Sequence, residues 1–156
     1  MTQRTALQTL VELAEKESSQ LAIRLSAAVR THQEQTQKLS LLLQYREDYA
    51  QRYQQGMSNG LGITHHQNFR DFLCRLDEAI EGQRQLTRQA ESQVLVERNI
   101  WQDAERKRLS FDTLVQRAQQ QQQQMAERRE QKANDEFATR MTATKRQHAS
   151  ANTPDE

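Results

Sequence analysis

The chain contains 156 residues, and 35% of them are hydrophobic, which is below the roughly 45–50% of an average globular domain. Its 22 basic and 21 acidic residues give a net charge of +1, whereas nucleic-acid-binding domains usually carry a clear basic excess. One proline, four glycines and 25 glutamines argue against a turn-rich sheet protein and a thick core, and they favour long helices.

The sequence also predicts where the protein resides. No apolar run approaches the roughly 18 residues that a membrane-spanning helix needs, and the first residues lack the apolar core of a signal peptide. A single cysteine, Cys74, cannot form an internal disulfide and suits a reducing compartment. These features predict a soluble protein of the cytoplasm.

The first predicted helix covers about residues 4–55. Its apolar and aromatic side chains follow the heptad pattern of a coiled coil, in which positions a and d face the partner helix. Position d falls at Leu7, Ala14, Leu21, Ala28, Gln35, Leu42 and Tyr49. Position a falls at Val11, Ser18, Leu25, His32, Leu39, Arg46 and Tyr53.

The helical pattern is interrupted once, at about residues 56–64, where three of the four glycines lie. Thr64 and Gln67 have the spacing of a capping box, so a second helix is predicted over about 65–147, followed by a flexible tail at 148–156. Its d positions are Phe69, Leu76, Gln83, Ala90, Glu97, Ala104, Phe111, Ala118 and Met125. Its a positions are Leu73, Ile80, Thr87, Val94, Trp101, Arg108, Val115 and Gln122.

The short connection predicts that the two helices are antiparallel neighbours. If residues whose numbers sum to 122 face each other, every a position meets a d position; Tyr53 then faces Phe69, and Gln35 faces Thr87. In this register the first helix has no residue that could face the second helix beyond about Val115. The second helix must therefore extend past the end of the first. The predicted fold class is all-α: two long helices in an antiparallel coiled-coil hairpin, the second longer and overhanging. Residues 1–156 are predicted to form a single coiled-coil domain.

The residue patterns of common catalytic and metal sites are missing from the sequence. The glycine-containing break is too short for a phosphate-binding loop and lacks the lysine of that motif. His65 and His66 point about 100° apart on a helix, and no third ligand completes a metal site. Cys74 is predicted to be a small, partly buried side chain. We therefore expect a protein that is not an enzyme and that binds neither a metal nor a cofactor.

One edge of the predicted hairpin is unusually apolar. Tyr45 in the first helix and Phe72 and Ala79 in the second occupy position g, and the g rows of an antiparallel pair share one edge. Position g is normally charged, and aromatic residues there extend the apolar stripe toward solvent, as in an interaction surface. The alternative is that the wider stripe strengthens packing near the connection. Three neighbouring d positions border this edge: Leu42, Tyr49 and Leu76.

Several blocks of the sequence resemble one known family. They are Ala6-Leu7-Gln8-Thr9-Leu10 and Leu13-Ala14-Glu15-Lys16-Glu17 at the start, Phe69-Arg70-Asp71-Phe72-Leu73 and Leu76-Asp77-Glu78-Ala79-Ile80 after the break, and Asp135-Glu136-Phe137-Ala138 near the end. Together with Leu42, Tyr45 and Tyr49, they make nearly the whole chain similar to the flagellar export protein FliJ family. The resemblance implies an antiparallel two-helix coiled coil, similar to the central stalk (gamma) subunit of rotary ATPases.

The resemblance also implies partners in the bacterial flagellar type III export apparatus. Members insert into the hexameric flagellar export ATPase and promote assembly of its ring, contact the cytoplasmic part of the membrane export gate, and escort export chaperones. The ATPase-ring contact is expected at the end that carries both termini. By position, the gate contact would comprise Leu42, Tyr45, Tyr49, Phe72, Leu76 and Ala79.

The predicted function is therefore a non-enzymatic stalk and adaptor. Its predicted location is the cytoplasm, in peripheral association with the cytoplasmic face of the inner membrane at the flagellar base. Two alternatives stay open. One is a generic structural coiled coil that self-associates through its overhang. The other is a nucleic-acid-binding helical hairpin that uses the basic residues after Glu105, although the near-zero net charge disfavours nucleic acid as a partner.

Overall fold

The computed structural model describes residues 2–60 and 62–150. Two helices account for nearly all of them, α1 over Thr2–Ser58 and α2 over Ile63–Ser150, and no strand occurs in these two ranges. The two helices are antiparallel and contact each other. Helix α2 has 88 residues and α1 has 57. The predicted all-α antiparallel hairpin with a longer second helix is confirmed.

The connection between the helices is shorter than predicted. The Asn59 amide still donates to the carbonyl of Gln55 at 3.2 Å, so α1 continues past residue 55. Gly60 then turns the chain with a φ of 76°, in the left-handed region that glycine adopts without a steric penalty. The first hydrogen bond of α2 runs from the His66 amide to the Gly62 carbonyl, 3.1 Å, which makes Gly62, rather than Thr64, the N-cap.

The far end of α2 also differs from the prediction. Residues 148–150, predicted as the start of a flexible tail, continue the helix to Ser150. The remainder of that predicted tail lies outside the described residues.

The heptad positions predicted from the sequence form the seam between the helices. Every a and d position from Leu7 to Tyr53 and from Phe69 to Val115 is buried or half-buried. All buried residues in the described part of the chain occupy these positions: Ala14, Ser18, Leu76, Ile80, Ala90, Val94, Glu97 and Ala104. The small size of several of them lets the two backbones approach closely, so a thin seam replaces a thick core.

The described contacts group the residues into two compact units, the larger of which is Val11–Arg108. Within it, Arg24 pairs with Glu97 at 2.9 Å, and the rings of Tyr53 and Phe69 lie 5.4 Å apart. The residue numbers of these pairs add to 121 and 122, which confirms the predicted register. One layer differs in detail, because the Gln83 amide donates to the Gln35 side-chain oxygen at 2.6 Å and to its carbonyl at 3.0 Å.

The smaller unit combines residues up to 10 with those from 109 onward. Leu7 and Val115 are half-buried in it, whereas every side chain over 116–149 is exposed. The heptad positions in that range are Ala118, Gln122 and Met125, and none of them is covered. Residues 116–149 therefore form the overhanging segment that the sequence predicts.

The rate of amide hydrogen exchange in α2 should increase beyond about residue 116. A helix without a buried face depends on its marginal intrinsic propensity, so amides over 116–149 are expected to exchange fastest, and those around the buried Ile80, Val94 and Ala104 slowest. Mass spectrometry of the free protein measures this profile. Equal protection along the whole of α2 would contradict the assignment of the overhang.

Candidate functional site

Five aromatic rings cluster near the connection between the helices. The ring centroid of Tyr49 lies 4.4 Å from that of Phe72 and 4.9 Å from that of Phe69. The rings of Tyr45 and Phe72 pack edge-on, with centroids 6.2 Å apart and an angle of 80° between the ring planes. Tyr53 continues the cluster toward the connection. Because aromatic pairs in tilted and edge-on geometry stabilise each other beyond their burial, this cluster fixes the side chains at this edge of the hairpin.

Three of the six residues predicted to contact a partner, Tyr45, Tyr49 and Phe72, belong to this cluster, and the six differ in exposure. Tyr45 is 50% exposed, and Ala79 is also exposed. Leu42, Tyr49 and Phe72 are half-buried, whereas Leu76 is only 7% exposed. The predicted surface thus includes exposed side chains, which a partner can touch directly, and a buried leucine, which belongs to the seam between the helices. We call these six residues the edge patch.

Phe72 contributes more to packing than its g position predicts. Position g borders the seam, so truncating Phe72 would cost little stability if its ring only faced solvent. In the structure the ring instead touches both Tyr45 and Tyr49. Phe72 therefore belongs to the aromatic cluster as well as to the edge of the hairpin. Ala79, which is exposed and has no ring, is therefore a better position than Phe72 for separating binding from stability. Tyr45 also contacts the cluster, but half of it is exposed.

Charged groups flank the aromatic cluster. Arg46, at a seam position of α1, donates to the Asp77 carboxylate of α2, and this hydrogen bond raises the pKa of the Arg46 guanidinium. The two side chains are 42% and 51% exposed, and a surface ion pair of this kind adds at most about 1 kcal/mol of stability. The pair links the two helices beside the edge patch.

The histidines and the cysteine have ordinary surroundings. The His66 ring lies 5.2 Å from the Tyr53 ring, and its Nδ1 shares a hydrogen bond with the Tyr53 hydroxyl. In the residues that the structure describes, no three metal-ligating side chains converge. Cys74 is exposed, because it lies one position beyond the seam, and the expectation that it is partly buried is wrong.

The sequence places Glu97 at a d position of the seam but does not predict which residues it contacts. Glu97 is 5% exposed; its Oε1 accepts hydrogen bonds from Arg24 at 2.9 Å and from Gln93 at 3.0 Å. Its Oε2 is buried and has no hydrogen-bond partner among the described residues. The only signal in the sequence is that Glu97 occupies a d position.

A second carboxylate bridges the helices further along. Glu105 accepts hydrogen bonds from Arg108 at 2.5 Å and from Ser18 at 2.5 Å. The bond from Arg108, followed by that from Ser18, lowers the pKa of Glu105 to about 2. Since the folded-state pKa lies below the ordinary value, the bridge stabilises the fold above about pH 4.5 and is lost as the pH falls toward 2.

Comparison with known proteins identifies relatives over nearly the whole chain. The family model described as "Flagellar FliJ protein" matches residues 3–147. The chain is 30% identical over 145 residues to the flagellar FliJ proteins of Escherichia coli (strain K12) and Salmonella typhi, which covers 93% of this chain and 99% of each relative. No solved structure matches it significantly. No helix in the described ranges is long and apolar enough to cross a membrane.

Proposed function

Because the chain belongs to the flagellar FliJ protein family, we propose that it is a non-enzymatic stalk and adaptor of bacterial flagellar type III protein export. It acts in the cytoplasm, at the cytoplasmic face of the inner membrane, at the flagellar base. Its partners are the hexameric export ATPase, the cytoplasmic part of the membrane export gate, and export chaperones.

The edge patch is the observation that carries this proposal. It combines an exposed tyrosine, an exposed alanine and a half-buried phenylalanine on one side of a helical hairpin, in a cluster of contacting aromatic rings. Tyrosine and other aromatic residues are enriched among the residues that dominate binding energy at interfaces. Pre-ordered side chains lose little conformational freedom on binding, so such a patch suits an adaptor that meets its partner repeatedly. The gate is the partner assigned to it.

The overhanging segment is the part assigned to the ATPase ring. Its exposed apolar residues, Met125, Phe137 and Met141, are few and widely spaced, so they do not bury each other. A hexameric ring with a central opening could cover such a helix from several sides. In this arrangement the protein couples ring and gate by binding one conformational state of each better than another.

Substitutions at the edge patch test the gate assignment. Tyr45→Ala is expected to weaken binding to the purified cytoplasmic domain of the export gate by about tenfold, because we assign Tyr45 to the few aromatic residues that dominate the binding energy of an interface. Ala79→Glu should weaken it similarly, because glutamate preserves the helix but places a charge in an apolar contact. Isothermal titration calorimetry measures both affinities.

The matched control is Leu95→Glu. Leu95 is 52% exposed on α2 and lies on a different face from the edge patch, so its replacement should leave gate affinity unchanged. Circular dichroism melts establish that all three variants stay folded. Unchanged affinity in both Tyr45→Ala and Ala79→Glu would mean that the aromatic edge serves packing alone.

A further inference from the structure

A second face of α2 differs sharply in charge from its surroundings. Between residues 79 and 100, every exposed charged side chain lies toward one side of the helix: Glu81, Arg84, Arg88, Glu91 and Arg98. The exposed residues on the other side are all uncharged. A solvated helix face normally carries charged or polar residues, but this uncharged face also exposes Leu86, Val96 and Ile100. Exposed apolar side chains that share one face indicate a surface that contacts another molecule.

The uncharged face has the spacing of another heptad seam. Six exposed residues on this face follow each other at sequence intervals of four and three, which is the spacing that lets one helix pack along another. These residues, which we call the second seam, are Gly82, Leu86, Gln89, Gln93, Val96 and Ile100. All six are exposed in the hairpin, and the three large apolar ones are 49%, 50% and 38% exposed for Leu86, Val96 and Ile100. A shallow groove on this side of α2 is lined by Gln89, Gln93 and Val96 of the second seam and by Gln85, Arg88 and Ser92 beside it.

The second seam is complementary to itself when it is reversed. In an antiparallel pair whose facing residue numbers sum to 182, Leu86 of one copy meets Val96 of the other. Gln89 then meets Gln93, and each carboxamide can donate to and accept from the opposite one. In the outermost layers the large Ile100 meets Gly82. A two-fold axis repeats every one of these contacts, and no layer brings two charges together.

Gly82 supports this pairing independently of the apolar residues. Glycine weakens the interior of a helix relative to alanine, and here no internal contact explains its presence. A Cβ atom added at Gly82 would meet nothing within 4 Å, so the hairpin itself does not need the missing side chain. The space that it leaves is filled by Ile100 of a second copy in the reversed pairing.

We propose that a second copy of this chain docks antiparallel on the second seam, forming a two-fold symmetric dimer through α2. The six layers span about 27 Å at 1.5 Å per residue. A single helix pair of this length buries less than the roughly 1,200 Å² at the lower limit of stable interfaces. The dimer is therefore weak and exchanges with the monomer, and it forms at high local concentration.

Sedimentation equilibrium of the full chain tests this proposal. The weight-average mass should rise from the monomer value of 18.3 kDa toward twice that value as the concentration increases to about 1 mM, the range in which weak complexes form. A constant mass of 18.3 kDa over the same range would overturn the proposal and leave the uncharged face to a different occupant.

Charge variants identify the surface. Leu86→Glu and Val96→Lys should each abolish self-association, because each places an unpaired charge in an apolar layer. Mixing the two variants should restore a dimer, since the introduced carboxylate of one chain meets the introduced ammonium of the other. Leu95→Glu, on the charged side of α2, should associate like the original chain. Self-association that persists in Leu86→Glu, or fails to return in the mixture, would contradict this pairing.

Discussion

Truncation of Ile80 to alanine should lower the free energy of unfolding by about 2–4 kcal/mol. The Ile80 side chain is 4% exposed and occupies an a position near the middle of the larger unit, so its loss leaves a cavity between two helices that are already closely packed. A thin seam offers few neighbouring side chains that could refill this cavity. Urea unfolding followed by circular dichroism measures the effect.

The control for Ile80→Ala is Leu95→Ala in the same helix. Leu95 is 52% exposed, and alanine has a high helix propensity, so the change in stability should stay within about 0.5 kcal/mol. If the two substitutions destabilised the protein equally, the seam assigned to the a and d positions would be wrong.

Replacement of Glu97 by leucine is expected to raise the free energy of unfolding by about 1–3 kcal/mol, because a well-packed apolar side chain often replaces a buried ion pair at a gain. Glu97 occupies a d position, and its Oε2 is buried with no hydrogen-bond partner in the described part of the chain. Its partner Arg24 keeps 60% of its side chain exposed, so the guanidinium returns to water without cost when the carboxylate is removed.

The reciprocal substitution should act in the opposite direction. Arg24→Ala leaves the Glu97 carboxylate buried with Gln93 as its remaining hydrogen-bond donor among the described residues, which should destabilise the protein by about 3 kcal/mol. Urea unfolding of both variants measures whether each substitution raises or lowers the free energy of unfolding. A loss of stability in Glu97→Leu similar to that in Arg24→Ala would show that the ion pair is a net stabilising interaction in this seam.

The helices and the seam were predictable from the sequence because helix geometry leaves little freedom. Heptads of leucine, alanine and aromatic residues predict which side chains turn inward, and every seam position from Leu7 to Val115 is covered as expected. The same periodicity predicts the overhang, since apolar positions such as Ala118 and Met125 lack counterparts in the shorter helix. The register follows from the short connection.

The details of the contacts could not be predicted, because several neighbours lie within reach of each side chain. Gln83 reaches Gln35 rather than Leu39, since a long amide side chain can extend along the seam by a full layer. The ring of Phe72 turns back onto Tyr45 and Tyr49, which heptad position alone does not specify. The partner of the edge patch came from family resemblance, because a surface reveals its chemistry and not the molecule that covers it.

The most direct test of the stalk and adaptor function is ATP hydrolysis by the purified cognate export ATPase with and without this chain. We expect the chain to stimulate hydrolysis, and we expect Tyr45→Ala to stimulate it equally, because the edge patch is assigned to the gate. The double variant Phe137→Glu, Met141→Glu should lose the stimulation, since both side chains are exposed in the overhanging segment that is assigned to the ring. Hydrolysis that is unaffected by the original chain, or stimulation that survives in the double variant and fails in Tyr45→Ala, would contradict this function.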